Sequence, residues 1–199
     1  MFAIAAAFSL VSIALALVAR VPTYRTAPLF LIPIIWVVYV LRRWLNLHWF
    51  HYLLFASAMF LHNLGAFGYY QNSPFPGVSF DIVVHACFGF VATFLYFRAL
   101  EKHVPVSIWP LRLFTLMFVM GSGAIHELFE YASYVMLGEE KGMLKPGTSY
   151  FFDAQRDLLN NFCGCLLALT LYGIYRRLAN GEGRGSGGRL AGSILRDSA

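Results

Sequence analysis

The chain has 199 residues, of which 59% are hydrophobic and 13% charged, whereas roughly a quarter of the residues in a soluble domain are charged. This composition excludes an ordinary soluble globular domain. The net charge of +5 does not indicate nucleic-acid binding, because the basic residues lie between and after apolar blocks and form no stripe with interleaved aromatics.

Six apolar blocks predict six membrane-spanning helices, since one helical span needs roughly 20 apolar residues. Their expected bounds are ~2–19, 27–41, 49–67, 80–99, 110–137 and 154–175. The pattern argues against a membrane β-barrel, because barrel strands alternate apolar and polar residues, whereas these blocks are nearly continuously apolar. The predicted fold class is therefore all-α, a polytopic membrane bundle of about six transmembrane helices in one domain over residues 1–179.

Basic residues predict the orientation of this bundle. No basic residue precedes the first block and Arg20 follows it, which favours a retained helix over a cleaved signal. With six spans both termini lie on one side, and that side carries ten of the 15 Lys and Arg residues. The excess places both termini in the cytoplasm of a cell (inner) membrane. The Gly- and Ser-rich tail, residues 180–199, is predicted to be disordered.

Polar residues interrupt four of the predicted spans, although a charged group costs at least ~2–3 kcal/mol inside a bilayer. In chain order they are His62, then Asp81 and His85, then His126, Glu127 and Glu130, then Asp153, Asp157, Asn160 and Asn161. Residues spaced i,i+4 share a helix face. All four groups lie at the outer ends of their spans, so we expect them to converge in one cavity open to the exterior.

Carboxylates and imidazoles in such a cavity predict either a metal site or acid–base chemistry. We expect Asp81, His85, Glu127 and Asp157 to be catalytic, and the same four residues with Glu130 to suit a divalent metal such as Zn, Mn, Fe or Mg. Without a metal, Asp81 and His85 form a carboxylate-oriented general base. The remaining polar residues are expected to line the cavity, and they are His62, His126, Asp153, Asn160 and Asn161.

Some of these residues also have simpler interpretations. Asp153 and Arg156 are spaced to form an interfacial ion pair, and a single membrane histidine is usually a hydrogen-bonded packing residue. Tyr69 and Tyr70 are typical of an aromatic belt at the membrane interface.

Three motifs resemble those of the YjdF-like bacterial inner-membrane proteins, in the same order along residues ~60–175. They are Asp81-Ile-Val-Val-His85, His126-Glu127-Leu-Phe-Glu130-Tyr131 and Asp153-Ala-Gln-Arg-Asp157. Residues 157–164 are also similar to the Asp-Leu-x-x-Asn-x-x-Gly motif of the VanZ-like group. The chain departs from the first family at Ile82, where a basic residue is common, and in loop 138–152, which keeps only Pro146-Gly147-Thr148. The resemblance implies an integral membrane protein of unsettled biochemistry, with a link to the cell envelope or glycopeptide resistance.

Three functions remain open at this point. The leading hypothesis is an outward-facing intramembrane acid/His site, a metal-dependent or acid–base enzyme that acts on a lipid or envelope precursor, with membrane lipid as its partner. A proton-coupled small-molecule permease is the second, and the mostly apolar inner halves of the spans disfavour it. A non-catalytic structural or partner-binding protein is the third, and it predicts that the acids pair with basic residues of 138–156 and leave no cavity.

Overall fold

The computed structural model describes residues 1–19, 27–138 and 150–187. Within these ranges the chain forms six α-helices joined by short links, and the predicted all-α class is confirmed. The helices are α1 (Phe2–Val18), α2 (Ala27–Val40), α3 (Trp49–Asn63), α4 (Phe80–His103), α5 (Ile108–Leu137) and α6 (Tyr150–Gly187). Helix α3 ends earlier than predicted because the chain tightens into a 3₁₀ turn over Leu64–Phe67.

The described helices divide into three long and three short ones. Phe80–His103, Ile108–Leu137 and Phe152–Leu178 are long and apolar enough to cross a membrane. Helices α1, α2 and α3 have 17, 14 and 15 residues, which at 1.5 Å per residue gives roughly 21–26 Å, less than the ~30 Å hydrocarbon core. Six helices are therefore present where six were predicted, but six complete spans are not confirmed.

Several predictions concern parts of the chain outside the described residues. These parts are 20–26, 139–149, which contains Pro146-Gly147-Thr148, and 188–199. Helix α6 continues to Gly187, inside the segment 180–199 for which we predict disorder. For residues 188–199 the disorder stays a prediction.

Helices α4 and α6 touch through their backbones at two glycines. A Cβ atom on Gly164 would lie 2.1 Å from the carbonyl oxygen of Ala86, and one on Gly89 would lie 2.1 Å from the carbonyl oxygen of Asn161. Only glycine fits at such contacts, which are common where membrane helices pack. Gly123 brings α5 to the same place, since its Cβ would lie 2.6 Å from Nδ2 of Asn161. The three long helices therefore converge on the polar start of α6.

Helices α1, α2 and α3 form a second layer, held together by buried polar contacts. The Tyr52 hydroxyl donates to the carbonyl oxygen of Ile35 over 2.9 Å, and the Asn63 side-chain amide donates to the Ser12 hydroxyl over 2.9 Å. These bonds tie α3 to α2 and to α1. An unpaired polar group would be costly in an apolar surrounding, so each bond helps to fix the register of the helices.

The C-terminal end of α4 is hydrogen-bonded to the turn after α2. Arg98 Nε donates to the carbonyl oxygen of Asn46 over 3.1 Å, and Lys102 Nζ donates to that of Arg43 over 3.0 Å. His103 Nε2 lies 2.7 Å from the carbonyl oxygen of Trp44, whose ring it also stacks on. Basic groups near a helix C-terminus are favourable partners for backbone carbonyls. The two helix layers are thus linked at this end.

Candidate functional site

A first trio of side chains forms where α4 meets α6. His85 Nε2 lies 3.5 Å from Oδ1 of Asp81, one turn earlier on α4, and 3.5 Å from Oδ2 of Asp157 on α6. All three residues are buried, with 6% of Asp81, 5% of His85 and 2% of Asp157 exposed. The trio exists because Gly89 and Gly164 let the two helices approach so closely. Its ligand atoms lie within 4.8 Å of one another.

Arg156 supplies a guanidinium to this first trio. Its Nη2 lies 2.7 Å from Oδ2 of Asp81 and 2.5 Å from Oδ1 of Asp153, and its Nε lies 3.8 Å from Oδ1 of Asp157. The Arg156 side chain is 40% exposed, so it enters the cluster from the outside. The pairing of Asp153 with Arg156 agrees with the simpler interpretation of Asp153. Arg156 also binds Asp81, 75 positions earlier in the chain.

A second trio lies beside the first and joins α3 to α5. His126 Nε2 is 3.2 Å from Oε1 of Glu130, one turn later on α5, and His62 of α3 completes the group within 4.8 Å. Nδ1 of His62 is hydrogen-bonded to the Tyr70 hydroxyl. His62 Nε2 is buried and has no hydrogen-bond partner among the described residues.

The two trios form one continuous cluster. The rings of His85 and His126 are 6.0 Å apart between centroids, and those of His62 and His126 are 5.5 Å apart. Glu127 is buried and interacts electrostatically with Glu130 and Asp157, but it belongs to neither trio. The structure thus places three of the five predicted metal ligands in the first trio and Glu130 in the second, and it leaves Glu127 outside both.

The two asparagines of α6 flank the cluster differently. Asn161 is 1% exposed and lies wedged between Gly89 of α4 and Gly123 of α5. Its side-chain amide interacts with His85, whereas Nδ2 of Asn160 is buried and has no hydrogen-bond partner among the described residues. Asn161 therefore places an amide beside His85.

Among the described residues of the cluster, acidic side chains outnumber basic ones. Five buried acids belong to the cluster, and they are Asp81, Glu127, Glu130, Asp153 and Asp157. Among the described Lys and Arg residues, Arg156 alone forms ion pairs with them. Buried carboxylates need protons or cations to offset their charge. The site is thus suited to take up protons, a metal ion or a cationic group.

A cavity of about 480 Å³ begins at the three histidines and continues as an almost entirely apolar space. This volume falls within the ~300–1,000 Å³ range of small-molecule sites. Along α4 its wall extends from Val84 to Tyr96, roughly 18 Å at 1.5 Å per residue. The far end is lined by residues of α4 and of the turn after α2, and they are Leu41, Trp44, Leu45, Leu95 and Tyr96.

The cavity also has a lateral side, where its wall is formed by residues that are exposed on the outer surface of the bundle. Its wall there comes from Ile34 and Val37 of α2 and from Ile125 and Phe129 of α5, which are 40–66% exposed. Helix α2 packs mainly on α1 and α3, whereas α5 packs mainly on α4 and α6. The gap between α2 and α5 thus opens the cavity towards the surroundings of the bundle.

Most predicted site residues come together, and two roles were not foreseen. The third hypothesis paired the acids with basic residues of 138–156, but the residue spacing did not identify Asp81 of α4 as a partner of Arg156. Tyr70 is not the interfacial anchor that we predicted, since it is 6% exposed and hydrogen-bonded to His62. The one available signal was its position eight residues after His62. His62 and His126, predicted as lining residues, instead form a trio with Glu130.

The apolar helices, their exposed apolar surfaces and the buried polar cluster define a helical membrane protein. Residues 1–178 match the family model described as predicted membrane protein (DUF2238), and the chain belongs to this family. The match confirms the resemblance to the YjdF-like proteins, which form the same family. No curated protein and no solved structure matches the chain at a significant level.

Proposed function

We propose that this protein is a membrane enzyme that holds a lipid or a lipid-linked envelope precursor and acts on its polar end by acid–base or metal-dependent chemistry. The observation that carries the proposal is the position of the three histidines at one end of an apolar cavity. A ligand that fills the cavity needs a long apolar part and a polar part beside His85. Among membrane components, lipids combine a long apolar chain with a polar head group.

The dimensions of the cavity support a hydrocarbon chain as the apolar part. Its wall along α4, roughly 18 Å, is close to the ~15 Å depth of one leaflet of a ~30 Å hydrocarbon core. The half-exposed residues Val37 and Ile125 border its lateral side. A lipid chain can enter through this side from the bilayer without crossing water.

The polar end of the ligand would meet His85. This side chain lines the cavity and has Asp81 and Asp157 on its other side, each 3.5 Å from Nε2. A neutral imidazole accepts a proton, and adjacent carboxylates stabilise the cation that results. His85 is thus placed to act as a general base on a lipid head group, with the two aspartates as its positioning partners.

The orientation that the basic residues favour places this chemistry at the outer face. With both termini in the cytoplasm of the inner membrane, the cluster opens towards the exterior and the lipid comes from the outer leaflet. A relation to the VanZ-like group, which the motif in residues 157–164 suggests, agrees with a role in the envelope.

The two alternative functions receive less support. A permease needs a polar path through the inner leaflet, but the inner end of the cavity is lined mainly by Leu41, Leu45 and Leu95. A purely structural role predicts that basic residues neutralise the acids, as Arg156 does for Asp81 and Asp153. That role does not explain a large cavity beside His85.

The proposal is tested by the lipids that co-purify with wild-type protein and with the His85→Gln variant from the same cells. We expect the variant to retain its substrate, so that one lipid species is enriched several-fold over wild type in mass spectra of the extracted lipids. His48→Gln is the matched control, because His48 is exposed and lies outside the cluster. Identical lipid profiles for a folded His85→Gln variant and wild type would contradict the proposed chemistry.

A further inference from the structure

We propose that His62, His126 and Glu130 bind a divalent transition-metal ion of the zinc type, and that the trio of Asp81, His85 and Asp157 does not. This inference rests on the proposed function, because the ion would lie at the polar end of the same cavity. It assigns the metal to two histidines that the sequence predicted only as lining residues.

The composition and geometry of the second trio fit such an ion. Two imidazoles and one carboxylate are a ligand set of catalytic zinc sites, in which three protein groups leave one position open. Zinc–ligand bonds of about 2.0–2.1 Å in a tetrahedron separate neighbouring ligand atoms by about 3.3 Å. His126 Nε2 and Glu130 Oε1 are 3.2 Å apart. The pair thus already has the separation that a shared ion requires.

His62 is oriented by a partner of the kind that metal-binding histidines have. A histidine that ligates through one nitrogen usually donates its other N–H to a nearby acceptor. The tautomer with its proton on Nδ1 donates to the Tyr70 oxygen and leaves a lone pair on Nε2, the buried atom without a hydrogen-bond partner among the described residues. A Cβ on Gly65 would lie 2.1 Å from the Tyr70 ring, so Gly65 makes the space that this partner occupies.

Arg156 disfavours a metal ion in the first trio. Its guanidinium lies 2.7 Å from Asp81 and 3.8 Å from Asp157, and a divalent ion held by these aspartates would be repelled by it. The second trio forms no ion pair with any described Lys or Arg. The two trios therefore have different compensating charges, a guanidinium for the first and a metal ion for the second.

The second trio is also placed where a bound metal ion could reach a lipid in the cavity. The His126 side chain is 24% exposed, and both His62 and His126 line the cavity. An ion held by these residues would therefore border the space where the polar end of a lipid would lie. There the ion would act as a Lewis acid on an oxygen of the head group.

The test is the metal content of detergent-purified protein after saturation with Zn²⁺ and removal of the unbound ion. We expect about one ion per chain in wild type and in Asp157→Asn, and loss of the ion in His126→Gln. Glu130→Gln repeats the test if His126→Gln does not fold. Tyr70→Phe should weaken Zn²⁺ binding by about 10–100-fold, the usual effect of removing such a partner, whereas Tyr69→Phe should not, because the Tyr69 ring packs on Phe80.

The outcomes separate this inference from the proposed function. Loss of Zn²⁺ in Asp157→Asn, alone or together with His126→Gln, would overturn the assignment to the second trio. Trace metal in every sample would overturn it as well. If a lipid still accumulates in His85→Gln while the metal test fails, the proposed function stands and the metal assignment falls.

Discussion

Arg156→Gln is expected to destabilise the protein by about 2 kcal/mol, between the ~0–1 kcal/mol of exposed ion pairs and the ~3–5 kcal/mol of buried ones. The reason for an intermediate value is that the guanidinium is partly exposed, whereas its partners Asp81 and Asp157 are buried. Without it, these carboxylates remain close together and lack a compensating cation. Thermal or denaturant unfolding in detergent measures the change.

A double variant distinguishes this electrostatic cause from lost packing. Asp81→Asn removes one of the charges that Arg156 compensates, so Arg156→Gln combined with Asp81→Asn should be less destabilised than the sum of the single variants. Arg177→Gln is the matched control, since Arg177 is exposed on the same helix and should change stability little. Additive losses would show that the ion pair contributes no net stability.

Gly164→Ala is expected to destabilise the α4–α6 contact by about 1–3 kcal/mol or more, the usual range for overpacking. The added Cβ would lie 2.1 Å from the carbonyl oxygen of Ala86, a backbone atom that moves only if the helices separate. Separation would also move Asp157 away from His85 and impair the proposed chemistry, so the folded fraction of the variant should retain substrate lipid as His85→Gln does. Unfolding and lipid content of the same samples measure both effects.

Gly121→Ala is the control for this substitution. It makes the same exchange within a helix, but its Cβ meets no atom within 4 Å, so stability should be unchanged or rise by about 0.5–1 kcal/mol. Equal stability of the Gly164→Ala and Gly121→Ala variants would contradict the close helix contact that forms the site.

The helices could be predicted from the sequence because long apolar blocks with polar ends specify them locally. The apolar block before Arg42 predicts a helix, and α2 ends at Val40. The number of full spans was harder to predict, since a span requires length as well as apolarity. The turn Leu64–Phe67 shortens α3, and the block pattern does not reveal such a turn.

The part of the candidate site that lies within one helix could be predicted, because local spacing determines which side chains share a helix face. The spacing of Asp81 and His85 is fixed by one helix, and their pairing follows from it. The partners on other helices depend on how the helices pack, which local spacing does not specify. Arg156 reaching Asp81 and Tyr70 reaching His62 are therefore results of the tertiary structure. Glycines such as Gly164 control that packing, but one sequence does not show which glycine serves as a contact.

The most direct test of the central claim is to locate the hydrocarbon chain of a bound lipid. Purified protein is reconstituted with a phospholipid whose acyl chain ends in a diazirine, irradiated, and analysed by peptide mass spectrometry. We predict cross-links concentrated at the end of the cavity distant from the three histidines, at Leu41, Leu45 and Leu95. They should be lost in Val37→Trp, which narrows the lateral side, and kept in Leu10→Trp, a change on the exposed surface of α1. Cross-links spread evenly over exposed apolar residues, and unchanged in Val37→Trp, would contradict this prediction.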